Sequence, residues 1–94
     1  MTEEFYIVAL SWSYGDTYLK NLYSWTFSGY QQPYITHDQN ILKAKHYKTL
    51  QGVKRVVNRL ESYYNSYDKN EKLPDNIPKV KALKIEIEIK TIEV

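Results

Sequence analysis

The chain has 94 residues, 43% hydrophobic and 26% charged, with a net charge of +2; this is a globular composition, sufficient for a single domain over residues 1–94 and too apolar for wholesale disorder. There is no cysteine, which excludes a disulfide scaffold, thiolate metal ligands and a cysteine nucleophile. The longest apolar run, residues 5–10, is too short to span a bilayer, and Met1-Thr2-Glu3-Glu4 lacks the basic start of a signal peptide, so a cytoplasmic protein with no membrane partner is expected.

Phe5-Tyr6-Ile7-Val8-Ala9-Leu10 reads as a buried first strand, because it is short, apolar and partly β-branched. Ser13-Tyr14-Gly15-Asp16 reads as a turn within a long aromatic connection from Ser11 to Asn21, expected to be ordered with at least two rings partly exposed. Residues 22–28 alternate, with Tyr23, Trp25 and Phe27 on one face and Ser24, Thr26 and Ser28 on the other, which predicts a second strand antiparallel to the first. Tyr34-Ile35-Thr36 makes a short third strand after Pro33. Ile41-Leu42-Lys43-Ala44-Lys45 suits a single helical turn capped by Asn40 or Asp38.

The clearest element follows. Leu50, Val53, Val57, Leu60, Tyr64 and Tyr67 recur at spacings of three and four, an amphipathic helix capped by Thr49. Residues 68–79 contain Pro74 and Pro78 and read as a loop. Residues 83–90 then alternate cleanly, with Leu83, Ile85, Ile87 and Ile89 expected inward against the helix and Lys84, Glu86, Glu88 and Lys90 outward; the phase flips at Ile92 and Val94, which suggests a bulge near Lys90-Thr91. The order β-β-(β)-α-β predicts an α+β two-layer sandwich, an antiparallel sheet of three to four strands with one main helix.

Little in this pattern points to catalysis. Gly15, Gly29 and Gly52 are isolated, so phosphate-loop signatures are absent. His37 and His46, nine residues apart, match no standard metal-ligand spacing. Glu86 and Glu88 share a face with Lys84 and Lys90, which suits solvated pairing, and no serine sits in a nucleophile elbow. Neither an enzyme nor a cofactor or metal is expected.

Two surfaces remain. Ten tyrosines and two tryptophans crowd the chain, and Trp12, Tyr14, Tyr18, Tyr30 and Tyr34 are candidate protein-binding anchors, since Trp and Tyr dominate interfaces. An aromatic sheet face would equally suit a homodimer. The charge is also uneven. Residues 1–38 set Lys20 against Glu3, Glu4, Asp16 and Asp38, a net −3, whereas residues 39–60 carry Lys43, Lys45, Lys48, Lys54, Arg55 and Arg59 with no acid, a net +6. Such a basic island is either the solvated face of a helix or a contact for phosphates, with sheet aromatics stacking on bases.

Phe5 to Trp12, the segment Asp38-Gln39-Asn40-Ile41-Leu42-Lys43-Ala44-Lys45-His46-Tyr47-Lys48-Thr49 leading into the helix, and the closing Lys-Glu-Ile strand resemble the small early-region proteins of Gram-positive bacteriophages. In those proteins an Asp…Ala…Phe/Tyr-Lys-Thr segment often precedes a helix, with Tyr47 in the aromatic place here; the chain departs at Gly52, Val53 and Lys54, where acidic and alanine residues are usual. The resemblance carries no binding residue. It implies a context in the bacterial host's cytoplasm: a small accessory protein that binds a host protein stoichiometrically and inhibits replication or antiviral defence. The alternative is a nucleic-acid-binding protein using the basic segment 43–59.

Overall fold

The computed structural model describes residues 2–27, 30–68 and 77–94, and the side chains of these except in 24–34 and 66–68. Strands β1 (Thr2–Trp12), β2 (Gly15–Phe27) and β3 (Tyr30–Asp38) are followed by a 3-10 turn (Ile41–Lys43), helix α1 (Leu50–Asp68) and strand β4 (Lys79–Glu88). They form one antiparallel sheet in the order β3-β2-β1-β4 with a single helix, a small α+β fold. The expected loop 68–79 lies outside the described residues for positions 69–76.

The long connection expected between Ser11 and Asn21 does not exist. Trp12 pairs with Gly15, so Ser13 and Tyr14 alone make the turn. Gly15 has φ +134°, a conformation that L side chains rarely adopt, and this permits the tight reversal. The strand resumes at once because Thr17 and Leu19 both point inward, 4% and 0% exposed. Thr17 is polar in sequence, yet its hydroxyl accepts a hydrogen bond from Trp12 Nε1 at 2.8 Å, which lets it sit in the core.

The helix begins as expected, with Gly52 N–H donating to Thr49 Oγ1 at 3.0 Å. Val53, Val57 and Leu60 are buried with Val8, Leu10, Leu19 and Val80 in one core, but Leu50, at the first helical position, is left 45% exposed. Val8 and Leu10, rather than Ile7 and Ala9, therefore face the helix.

The phase of β4 is the reverse of the expected one. Lys79–Glu88 pairs with β1 without a break, and Leu10↔Val80 and Val8↔Ala82 put Val80 and Ala82 on the helix side. The row Leu83, Ile85 and Ile87 lies on the opposite face, and Ile87 and Ile89 are 42% and 43% exposed. The reason is position along the strand. The helix crosses the first half of β4, where Val80 and Ala82 are the inward residues. Further along that face come Lys84 and Glu86, which pair with each other at 3.4 Å and, through Lys84, with Glu4 at 3.4 Å in solvent. No bulge forms near Lys90, because the strand ends at Glu88.

β1 and β2 pair over only four residues, Ala9–Trp12 with Gly15–Tyr18. Beyond that point the segment 45–47 enters between them. Tyr6 and Tyr47 exchange both backbone hydrogen bonds at 2.8 Å, and Lys45 N–H donates to Leu19 O at 2.8 Å. β2 continues with β3 as a two-stranded arm through Phe27↔Tyr30, with a register shift between Leu19 and Asn21. Pro33 is accommodated because β3 is an edge strand. The molecule measures 59 × 28 × 18 Å.

Candidate protein-binding site

The tight β1–β2 turn and the end of α1 together build an aromatic cluster around Trp12. The Trp12 ring stacks with Tyr14 at 5.8 Å and 9°, stacks with His37 at 5.4 Å and 28°, and meets Tyr64 edge-on at 6.4 Å and 83°. Tyr63 adds an edge contact to Tyr64 at 5.2 Å. The bond from Nε1 to Thr17 fixes the Trp12 ring, which is half-buried. Tyr14, held against it, is 64% exposed. Burial, with Tyr63 and Tyr14 adding to it, pushes the Tyr64 hydroxyl up to about 12.

An aromatic pair in which one ring is locked and the other open is suited to receive an apolar or aromatic side chain, because little rotamer entropy is left to lose on binding. Of the five expected anchors, Trp12 and Tyr14 are brought together here. Tyr18 pairs with Ala9, adjacent to Leu10↔Thr17, and so occupies the other face of the sheet, half-buried. Tyr34 and Tyr30 stand opposite Tyr23 and Phe27 in the arm, and their side chains lie outside the described set. His37 and Tyr64 join the cluster unannounced. Tyr64 was legible only as a member of the helix stripe, and His37 is carried to Trp12 by the Leu19↔His37 register.

A second apolar surface lies on the face away from the helix. Phe5, Ile85, Ile87, Ile41, Leu42 and His46 line a groove of about 240 Å³. His46 stacks on Phe5 at 3.8 Å and 16°, and Leu42 is 84% exposed at its rim. Asn40 shapes the rim by accepting from Leu42 N–H at 3.0 Å, while the Asp38 carboxylate accepts from Asn40 N–H at 2.8 Å. That backbone bond holds the Asp38 carboxyl below the usual carboxylate range.

The basic island is distributed differently. Lys43 pairs with Asp38 at 4.0 Å, and Lys45 Nζ lies 5.5 Å from the centre of the Tyr47 ring. Lys54 and Arg55 flank a shallow depression on the outer helix face with Leu50, Gln51 and Asn58; Lys48 and Arg59 are also exposed.

The two histidines stack on opposite faces, His37 on Trp12 and His46 on Phe5. Among the described residues no group of three or more His, Asp or Glu could hold a metal ion, and no helix is long and apolar enough to cross a membrane. No family model matches the chain, and no curated protein or solved structure is significantly similar to it.

Proposed function

We propose that the protein is a small phage-like accessory protein that acts by stoichiometric binding to a host protein, of the replication or antiviral-defence kind implied by its resemblance to phage early-region proteins, and inhibits it. One observation carries the binding part of this reading: the Tyr14 ring is 64% exposed while stacked on a Trp12 whose orientation is fixed by Thr17. Large, rigid, partly open aromatics of this kind supply most of the energy in measured interfaces.

The test is capture by the tagged protein from host cells, before and after nuclease treatment, with wild type and with Tyr14→Ala. A protein partner that survives nuclease and is lost with Tyr14→Ala supports the reading. Truncation of a true anchor costs about 2 kcal/mol or more of binding. Loss of all captured material on nuclease treatment replaces it with nucleic-acid binding through Lys43, Lys45, Lys48, Lys54, Arg55 and Arg59. Capture indifferent to Tyr14→Ala removes the aromatic cluster as the site.

A further inference from the structure

The free edge of β4 carries a pattern that complements itself. β4 is the last strand of the sheet, and among the described residues nothing pairs with its outer side. Which backbone groups face outward follows from the wedge described above. Tyr6 spends both its N–H and its C=O on Tyr47, away from β4. Lys84 stands directly opposite Tyr6, so in an antiparallel ladder it too turns its backbone groups away from β1, toward the open edge. With no break in the β1–β4 register, the alternation extends to Ala82, Glu86 and Glu88. The edge thus offers a run of unmet donors and acceptors over its second half, where the helix no longer covers Lys84 and Glu86.

Edge strands are usually blunted by proline, bulges or lysine. Here only lysine is present, and it alternates with glutamate. Two copies of β4 laid antiparallel about a two-fold axis at Ile85 place Lys84 opposite Glu86 of the second copy, twice by symmetry. They also place Leu83 opposite Ile87 and Ile85 opposite itself on the other face. Among the registers pairing within Lys79–Glu88, this is the one that sets opposite charges against each other and no like charges. A shift of one pair sets Lys84 against Lys84, or Glu86 against Glu86.

We propose that this edge is the interface of a symmetric homodimer, in which β4 pairs with β4 of a second copy in the register centred on Ile85 and joins two four-stranded sheets into one of eight. The occupant is a second copy because its charges match along the strand, whereas an arbitrary strand meets unpaired lysines. Glu88 has no ion-pair partner within its own chain among the described residues, and in the dimer it lies diagonal to Lys84 of the other copy. The surface is separate from the Tyr14 cluster, so the two proposals fail independently.

Sedimentation equilibrium from ~10 µM to ~1 mM chain tests it, since any association of useful strength is visible there. The expected result is concentration-dependent dimerisation, weakened about tenfold by Glu86→Lys and restored by Lys84→Glu combined with Glu86→Lys. Ile85→Cys is expected to give a covalent dimer on oxidation, because a non-hydrogen-bonded pair brings the two Cα atoms to ~4.5 Å, within disulfide reach. Glu86→Cys alone is expected not to cross-link, and to do so when mixed with Lys84→Cys chains. Glu86 and Lys84 are exposed, so these variants leave the core intact. A chain that stays monomeric throughout, including one that takes up an added strand peptide instead, overturns the proposal. So does a dimer that ignores Glu86→Lys.

Discussion

On the helix side of the sheet, Val8, Leu10, Leu19 and Val80 are sealed by Val53, Val57 and Leu60, each at most 8% exposed. On the other side, Ile7 and Ala9 are also fully buried, but further along that face Phe5, Ile85 and Ile87 are covered, among the described residues, by the short stretch that carries Ile41, Leu42 and His46. The two faces use the same kinds of side chain, but one is closed by an amphipathic helix of about five turns and the other by a few residues ending in an open groove. Apolar content does not by itself decide which face becomes core. What decides it is which face the helix can reach from where the chain enters β4. The helix side holds the larger share of the core, and the far strip of the other side leaves apolar side chains partly in solvent.

The widest separation of the two faces is expected from Leu60→Ala. Leu60 is fully buried, and its truncation should cost about 2–5 kcal/mol in denaturant melts, through lost transfer energy and a residual cavity. A loss well under this range would mean that the helix face is not the sealed one. Thr17→Val comes next. It preserves shape but leaves the Trp12 indole N–H without its partner, at a cost of about 1–3 kcal/mol by thermal denaturation, with altered tryptophan fluorescence.

A pH series sharpens the comparison at the end of the sealed face. The folded chain holds the Tyr64 hydroxyl at about 12, above the unfolded value of 10. The folded state therefore keeps a proton that the unfolded state gives up. This contribution is whole below pH 10 and is lost as pH rises through 12. Tm is expected to fall across that window in wild type, and Tyr64→Phe should flatten the fall; an unchanged slope would place Tyr64 in solvent. The smallest effect is expected from Ile87→Ala on the open face. Since Ile87 is already 42% exposed, about 1 kcal/mol or less is lost. A cost matching that of Leu60→Ala would erase the distinction between the faces.

Much of this architecture was legible in the residues. The spacing of Val53, Val57 and Leu60 with Thr49 before them fixed the helix, because an amphipathic stripe and a cap are local signals. The run Phe5–Leu10 marked a buried strand for a similar reason, and within it Ile7–Leu10 is the part the structure buries on both faces. The errors arose where a local pattern was sound but its partner was distant. The Leu83–Ile89 alternation announced a strand correctly, yet alternation names two faces without saying which one meets the helix. The stretch 11–21 looked like a long connection around the Ser13–Asp16 turn, and the bond from Trp12 shows why the strand resumes at once with a threonine buried in it. Of the binding cluster, Trp12 and Tyr14 were visible as neighbours. His37 and Tyr64 reach them through strand register and helix docking, which no short window contains.

The placement of β1 has a consequence for how the chain is made. β1 is an interior strand whose long ladder is with β4, so Leu10 waits for Val80, 70 residues later in synthesis. At about 5–20 residues per second, the emerging chain keeps Ile7–Leu10 without that partner for ~4–14 s. The β1–β2 and β2–β3 hairpins need only nearby residues and are free to form in that interval. The wedge of Tyr47 against Tyr6 then shields one side of β1 before the last strand arrives. The closing step, β4 docking along β1, has the longest loop to bring together and is the natural place for folding to be slow. Until it occurs, the apolar middle of β1 presents an unfilled edge, which makes this early stretch the part of the nascent chain most in need of chaperone protection.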